Sequence, residues 1–163
     1  MRIGFDFDRV LFDTDSFNKY LKDETGLYHV EGSVYDENGC YSPEKHAEMC
    51  SIDVDTVYEA MDHLNQFLFS DIDDLRKLSK DHELVIVTRG KEKVQRKKVK
   101  NSGAQRLFDE LFILQEGPKD IVDIDFLVDD TEEEIEKVNV PGIIFDREKH
   151  SIEDVIEAVG REK

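Results

Sequence analysis

At 163 residues the chain can hold one domain, or one domain with a modest insert, and is long enough for a real apolar core. Its 39 acidic side chains outnumber the 22 basic ones and leave a formal net charge of −17, a field that repels nucleic acid polymers and anionic membrane surfaces, so neither is an expected partner. The first strand begins at residue 2 with no room for a leader, no apolar stretch approaches the ~20 residues that cross a bilayer, and Cys40 and Cys50 have neither zinc-site nor disulfide-framework spacing, which together point to a reducing cytoplasm.

The first predicted strand, residues 2–7, runs into FDFDRVLFDT. Alternation sends Ile3, Phe5 and Phe7 to one side and Gly4, Asp6 and Asp8 to the other. Two like charges held side by side resist ionising together unless a cation lies between them, so Asp6 and Asp8 ask for a metal ion or for proton chemistry; an edge strand with a wet acidic face would show the same pattern. Residues 15–70 then break the strand–helix alternation, with helices expected near 16–24, 43–50 and 54–69 and an irregular stretch rich in Gly and Tyr over 26–41. Ser42, Pro43 and Glu44 mark a helix start. Phe17, Tyr20, Tyr28, Tyr35 and Tyr41 are read first as this segment's own core and second as a stacking surface for a base or sugar.

A helix near 71–80 leads to a strand at 83–88, where Leu84 to Val87 form an unbroken apolar run suited to a strand covered on both faces. Thr88 and Arg89 follow at its carboxyl end, the edge where open α/β sheets bind ligands; Thr88 could equally cap the next helix. That helix, about 91–101, is densely basic and reads as a solvated face. Next come a strand at 111–115, Lys119 after a Gly-Pro turn, and a strand at 124–128 ending in Asp129 and Asp130. A helix near 131–138 with Thr131 and Glu134 as a capping pair, a strand at 142–145 and a helix over 152–159 capped by Ser151 and Asp154 complete the chain. Alternating strands and helices predict a parallel sheet with right-handed crossovers. The five histidines read as surface or cap residues.

In this order, the features resemble the haloacid dehalogenase (HAD) superfamily of phosphohydrolases, over residues 6–134 apart from the insert. There the first strand ends in DxDx(T/V)L, here Asp6, Asp8, Val10 and Leu11, and the second in (S/T)xG, here Thr88, Arg89 and Gly90. A lysine follows, here Lys119, then a strand ending in DD, here Asp129 and Asp130. Lys119 precedes Asp130 by eleven positions (130 − 119), a short gap similar to that of the deoxyribonucleotidase branch. Arg9 stands where glycine is most frequent, and Glu134 where Asp or Asn is usual.

The resemblance implies a Rossmann-like three-layer α/β/α parallel sheet, with residues 1–14 and 71–163 as the core domain and 15–70 as a small helical cap inserted after the first strand. It implies Asp6 as a nucleophile that forms an aspartyl phosphate and Asp8 as general acid and then base. Mg²⁺ would be held by Asp6, the Asp8 backbone carbonyl and Asp130, with Asp129 reaching it through water. Thr88, the Arg89 N–H and Lys119 would bind the phosphoryl oxygens. Aspartate at position 8 favours phosphate ester hydrolysis, because dehalogenase-like members lack it, ion-pumping ATPases carry threonine there and phosphonate-cleaving members a small residue.

The expected activity is Mg²⁺-dependent hydrolysis of a small phosphomonoester, a metabolite or a nucleotide, since a small lid suits a small substrate. Two other readings stay open on the sequence. A phosphotransferase or mutase would pass the same phosphoryl group to a sugar hydroxyl. A noncatalytic phospho-acceptor domain of the receiver type would also set acids, Thr and Lys around a parallel sheet, but it places its Lys near the last strand and lacks the final acidic pair.

Overall fold

The computed structural model of the chain describes residues 1–27 and 34–162, so Tyr28 and His29 lie outside the described residues. Five strands, β1 Arg2–Phe5, β2 Glu83–Arg89, β3 Glu110–Leu114, β4 Phe126–Asp129 and β5 Gly142–Ile144, form one sheet in the spatial order β3-β2-β1-β4-β5. Every pairing is parallel. Ile3, Phe5, Leu84, Ile86, Phe126 and Val128 face the larger apolar core, while Val85, Val87 and Leu127 join Ile124 in a smaller cluster on the opposite face. Burial on both faces is why β2 reads as an unbroken apolar run with no polar alternation.

Helices α1 Thr14–Thr25, α2 Pro43–Cys50, α3 Val54–Glu59, α4 Glu92–Ser102, α5 Glu132–Lys137 and α6 Ile152–Arg161 supply the outer layers. Val99 of α4 and Ile152, Val155 and Val159 of α6 cover the larger core, and Ile135 of α5 covers the smaller one. The result is the three-layer α/β/α parallel architecture. Among the described residues no helix is long and apolar enough to cross a membrane.

Two elements differ from expectation. The helix expected over 54–69 ends at Glu59, and a 3-10 turn, Asn65–Phe67, follows. Met61, Leu64 and Phe67, beyond the end of the helix, are all buried in the larger core. Asn101 secures the bend, its side-chain amide donating to the Met61 carbonyl at 2.7 Å. Residues 72–77 form a 3-10 helix, Ile72–Lys77, rather than an α-helix. Its apolar positions Ile72, Leu75 and Leu78 recur every third residue, the period of a 3-10 turn. His46 departs from a surface role: it is buried, with Nε2 2.6 Å from the Thr25 hydroxyl and Nδ1 2.6 Å from the Tyr41 hydroxyl.

Ser42 caps α2 by accepting from the Lys45 N–H at 3.3 Å, with Pro43 in the first turn, and Ser151 donates its N–H to Asp154 at 2.7 Å at the start of α6. Phe17, Leu21, Met61, Leu64 and Phe67 share one continuous apolar cluster with Phe5, Phe7 and Leu75. The described part of 15–70 is therefore packed directly onto the sheet's core. The chain advances from β1 through β2 to β3 at one edge, then crosses back to place β4 on the other side of β1. That reversal opens a crevice outside the carboxyl ends of β1 and β4, where sheets of this type bind ligands.

Candidate active site

Each central strand delivers its polar side chains where its ladder ends. The pairing of Phe5 with Val128 sets Asp6 level with Asp129, and the Asp6 N–H donates to the Val128 carbonyl at 2.8 Å. β2 ends in Thr88 and Arg89, and Pro118 opens a short 3-10 turn, Lys119–Val122, that starts at Lys119. A cleft of about 240 Å³ is walled by Asp6, Asp8, Thr88, Arg89, Lys119, Asp129 and Asp130, so all seven residues expected from the sequence meet in one place.

Lys119 is buried and bridges the two strands, its Nζ donating to Asp6 Oδ1 at 2.7 Å and to Asp129 Oδ2 at 2.6 Å. Burial alone would lower the pKa of this ammonium, but Asp6 and Asp129 outweigh it and raise it above the ordinary 10.5. Asp6 is pushed up to about 7, chiefly by burial; Asp129 and Asp8 add to the shift and Lys119 offsets part of it. Asp130 is raised too, by burial first and then by Asp129.

Asp6, Asp129 and Asp130 each offer an oxygen within 4.8 Å of the other two. One buried ammonium serves this trio, in which Asp6 and Asp130 are raised first by burial and then by their acidic neighbours. An acidic, all-oxygen donor set without sulfur or imidazole suits a hard cation such as Mg²⁺, and the residues present fit it.

The burial of Asp6 among other carboxyl groups has a measurable consequence in the metal-free protein. Asp6 keeps its proton up to about pH 7 when folded, but only to its ordinary value of 3.8 when unfolded. Between those values the native state holds more protons than the unfolded state, so stability falls as pH rises. The contribution is intact below the unfolded value and lost as pH passes the folded one. Asp6→Asn removes this titration. In chelator, the melting temperature of the wild type is expected to fall relative to that of Asp6→Asn between about pH 4 and pH 7. Parallel melting curves across that range would show that Asp6 carries no such penalty.

Asp8 is held differently. Its Oδ1 accepts from the Thr14 hydroxyl at 2.9 Å and from the Lys98 ammonium, and its Oδ2 accepts from Gln95 Nε2 at 2.9 Å. Burial would raise this carboxyl, but Lys98 and the hydrogen bonds outweigh it and hold the pKa below 3.8. Arg9, beside it, has φ 63°, the left-handed region that favours glycine.

Thr88 does not cap α4, whose N-cap is Lys91; its hydroxyl instead accepts from Gln95 Nε2 at 2.8 Å. The expected capping pair after Asp130 also changes partners. Thr131 makes no side-chain cap, and Glu134 takes the Arg89 guanidinium in two contacts, at 2.9 and 2.8 Å. A guanidinium fork matches both carboxylate oxygens, which a lone backbone N–H cannot do. Burial would raise Glu134, but Arg89 lowers it by more. Arg89 also donates to the Gly117 carbonyl at 2.6 Å, tying the Lys119 loop to β2.

The basic run 91–100 is only partly a solvated face. Lys93 and Lys97 lie 4.1 and 5.7 Å from the centroid of the Tyr58 ring, and Arg96 pairs with Glu92, but Gln95 and Lys98 turn inward and are buried. Val94 and Val99 mark the buried stripe of α4; Lys98 lies four residues after the first and Gln95 four before the second.

A larger cavity of about 720 Å³ adjoins the cleft and shares Asp8, Arg9 and Arg89 with it. Its lining includes Phe17, Asn18, Tyr35 and Tyr41 together with Lys91, Gln95, Lys98 and Gln115. Phe17 and Tyr20 also pack against Phe67, at ring distances of 5.7 and 5.3 Å, as core of their own segment. Tyr35 remains 45% exposed.

No protein-family model and no curated protein matches the sequence. Solved structures do match. A 2-haloacid dehalogenase from Pseudomonas syringae superposes with a TM-score of 0.64 at 14% identity, over 99% of each chain. A predicted phosphatase from Clostridium acetobutylicum gives 0.58 at 15% identity, over 98% of each chain. A HAD-hydrolase from Bacillus subtilis bound to magnesium gives 0.50 at 14%, over 80% of this chain and 78% of that one. The chain has the haloacid dehalogenase-like hydrolase fold.

Proposed function

We infer that this chain is an enzyme of the HAD superfamily, a Mg²⁺-dependent phosphohydrolase of small phosphomonoesters that works through an aspartyl phosphate on Asp6. The observation that carries the reading is the acidic trio Asp6, Asp129 and Asp130 around buried Lys119, with Asp8 facing both the cleft and the adjoining cavity. Phosphatases and dehalogenases both occur among proteins of this fold. Asp8 and the acidic trio favour the former, because the trio suits a cation that would offset the charge of a phosphate, and an alkoxide leaving group needs the proton that a departing halide does not.

Asp6, the Asp8 carbonyl and Asp130 would hold the ion, with Asp129 behind them. Bound there, Mg²⁺ supplies the positive charge that lets an anionic nucleophile meet an anionic phosphate. An Asp6 oxygen attacks phosphorus as the bond to the leaving oxygen breaks. Asp8 passes a proton to that oxygen, then takes one from the water that cleaves the acyl phosphate and frees Asp6. Asp8 is ionised before substrate arrives. A phosphate dianion placed beside it raises its proton affinity, and an ester monoanion brings a proton of its own. Thr88, the Arg89 N–H and Lys119 meet the phosphoryl oxygens. The Lys119 ammonium has three N–H donors and spends two on Asp6 and Asp129, leaving one for substrate. The described part of residues 15–70 acts as the cover of the larger cavity, which receives the alcohol portion of the ester.

The test is hydrolysis of an aryl phosphate and of a panel of phosphorylated metabolites. Turnover is expected to require Mg²⁺, to vanish in excess chelator, and to fall when Ca²⁺ replaces Mg²⁺, because Ca²⁺ demands more and longer oxygen contacts. Undiminished turnover in chelator would remove the ion from the account.

A further inference from the structure

Asp8, the acid and base of the proposed reaction, is not held by its own loop alone. Both of its oxygens are engaged, Oδ1 by Thr14 and Lys98 and Oδ2 by Gln95. Lys98 is buried, and its ammonium lies 5.3 Å from the centroid of the Phe12 ring and 5.6 Å from that of Phe17. A buried ammonium in an aromatic cage is costly unless it is paired, and Asp8 is the carboxylate it pairs with. The orientation of Gln95 is set by chemistry: its carbonyl turned towards the Asp8 carboxylate would oppose two acceptors. Its Nε2 therefore faces both Asp8 and the Thr88 hydroxyl. Gly90 permits this approach, since a Cβ there would lie 2.9 Å from Gln95 Cγ and the φ of 136° disfavours any side chain.

We propose that Lys98, from one face of α4, is the positioning residue that orients Asp8 towards the leaving oxygen of the substrate. With Oδ1 fixed between Lys98 and Thr14, Oδ2 is the oxygen left to exchange its single amide partner for substrate or water. Lys98 and Gln95, three residues apart, thus tie the acid after β1 and the hydroxyl at the end of β2 to one rigid element. The inference rests on the phosphohydrolase reading above for the role of Asp8, but not for the geometry of the clamp.

The experiment compares wild type, Lys98→Met, Lys98→Arg, Asp8→Asn and the double variant Asp8→Asn/Lys98→Met on aryl phosphates whose phenols differ in acidity, in Mg²⁺. Methionine keeps the apolar stem among the rings and removes the charge. Lys98→Met is expected to lose roughly 10–10²-fold in kcat/KM, which reports transfer to Asp6, on the poorest leaving group and much less on the best, while kcat on the best falls through the slower hydrolysis of the acyl phosphate. Lys98→Arg should restore most of the rate. If Lys98 acts through Asp8, adding Lys98→Met to Asp8→Asn costs less than about threefold. Equal loss of kcat/KM across the series, or full multiplication of the two losses, would overturn the proposal. A crystal structure of Lys98→Met decides the positioning without an assay: the Asp8 carboxylate is expected to leave its orientation or split between rotamers, and an unchanged carboxylate would contradict it. A wild type inert on every phosphate ester would instead remove the phosphohydrolase reading, and the Asp8 rotamer would still decide the role of Lys98.

Discussion

Asp6→Asn is expected to abolish turnover, by on the order of 10³-fold or more, while leaving the protein folded. The loss follows from chemistry: a carboxamide is a poor nucleophile towards phosphorus. Retained folding follows from the surroundings, because Asp129 still pairs with Lys119 at 2.6 Å and the substitution removes one of the crowded carboxylates. Activity and stability should thus move in opposite senses at neutral pH without metal, a familiar trade at sites where like charges are gathered for function. A variant with near-wild-type rates would show that another group attacks phosphorus.

The second large effect separates Asp8 from Asp6. Asp8→Asn leaves the nucleophile and the acidic trio in place, since Asp8 is not among the three carboxylates gathered there. An aryl phosphate with an acidic phenol needs little protonation to depart, so the first step should survive in part. Breakdown of the acyl phosphate still needs a base to activate water and should slow more. The expected trace is a burst of phenol close to one equivalent of enzyme, followed by turnover slowed roughly 10²–10⁴-fold. A linear trace, with equal loss for good and poor leaving groups, would give Asp8 a structural role only.

Much of this was legible in the chain because the decisive signals are local. The first strand up to Phe5 and the apolar run Leu84 to Val87 both end in polar residues, and a parallel sheet brings all such ends to one edge. Asp6, Thr88 and Asp129 could therefore be expected together without knowing the register. Lys119 was placed by order in the sequence, and its commitment to two carboxylates at once is visible only in three dimensions.

What escaped the sequence depends on competition between partners far apart. Glu134 has the spacing of a capping residue, but Arg89, 45 positions earlier, offers two donors where a cap offers one. The break after Glu59 has no Gly or Pro to announce it, and its visible tie, the Asn101 amide on the Met61 carbonyl, comes from 40 positions further along the chain. Lys98 was hidden by composition, since lysines crowd its helix and most of them face solvent. The stripe through Val94 and Val99 is the sequence signal that sets it apart, and it acquires meaning only once Asp8 is known to lie across from that face.

The measurement that tests the central claim most directly is mass spectrometry of acid-quenched Asp8→Asn protein after mixing with an aryl phosphate and Mg²⁺. The account predicts one phosphoryl group on the peptide that contains Asp6, absent without Mg²⁺ and absent in the Asp6→Asn/Asp8→Asn double variant. Turnover of the ester by the wild type with no covalent phosphate at Asp6 in this variant, or with the adduct on another residue, would contradict it.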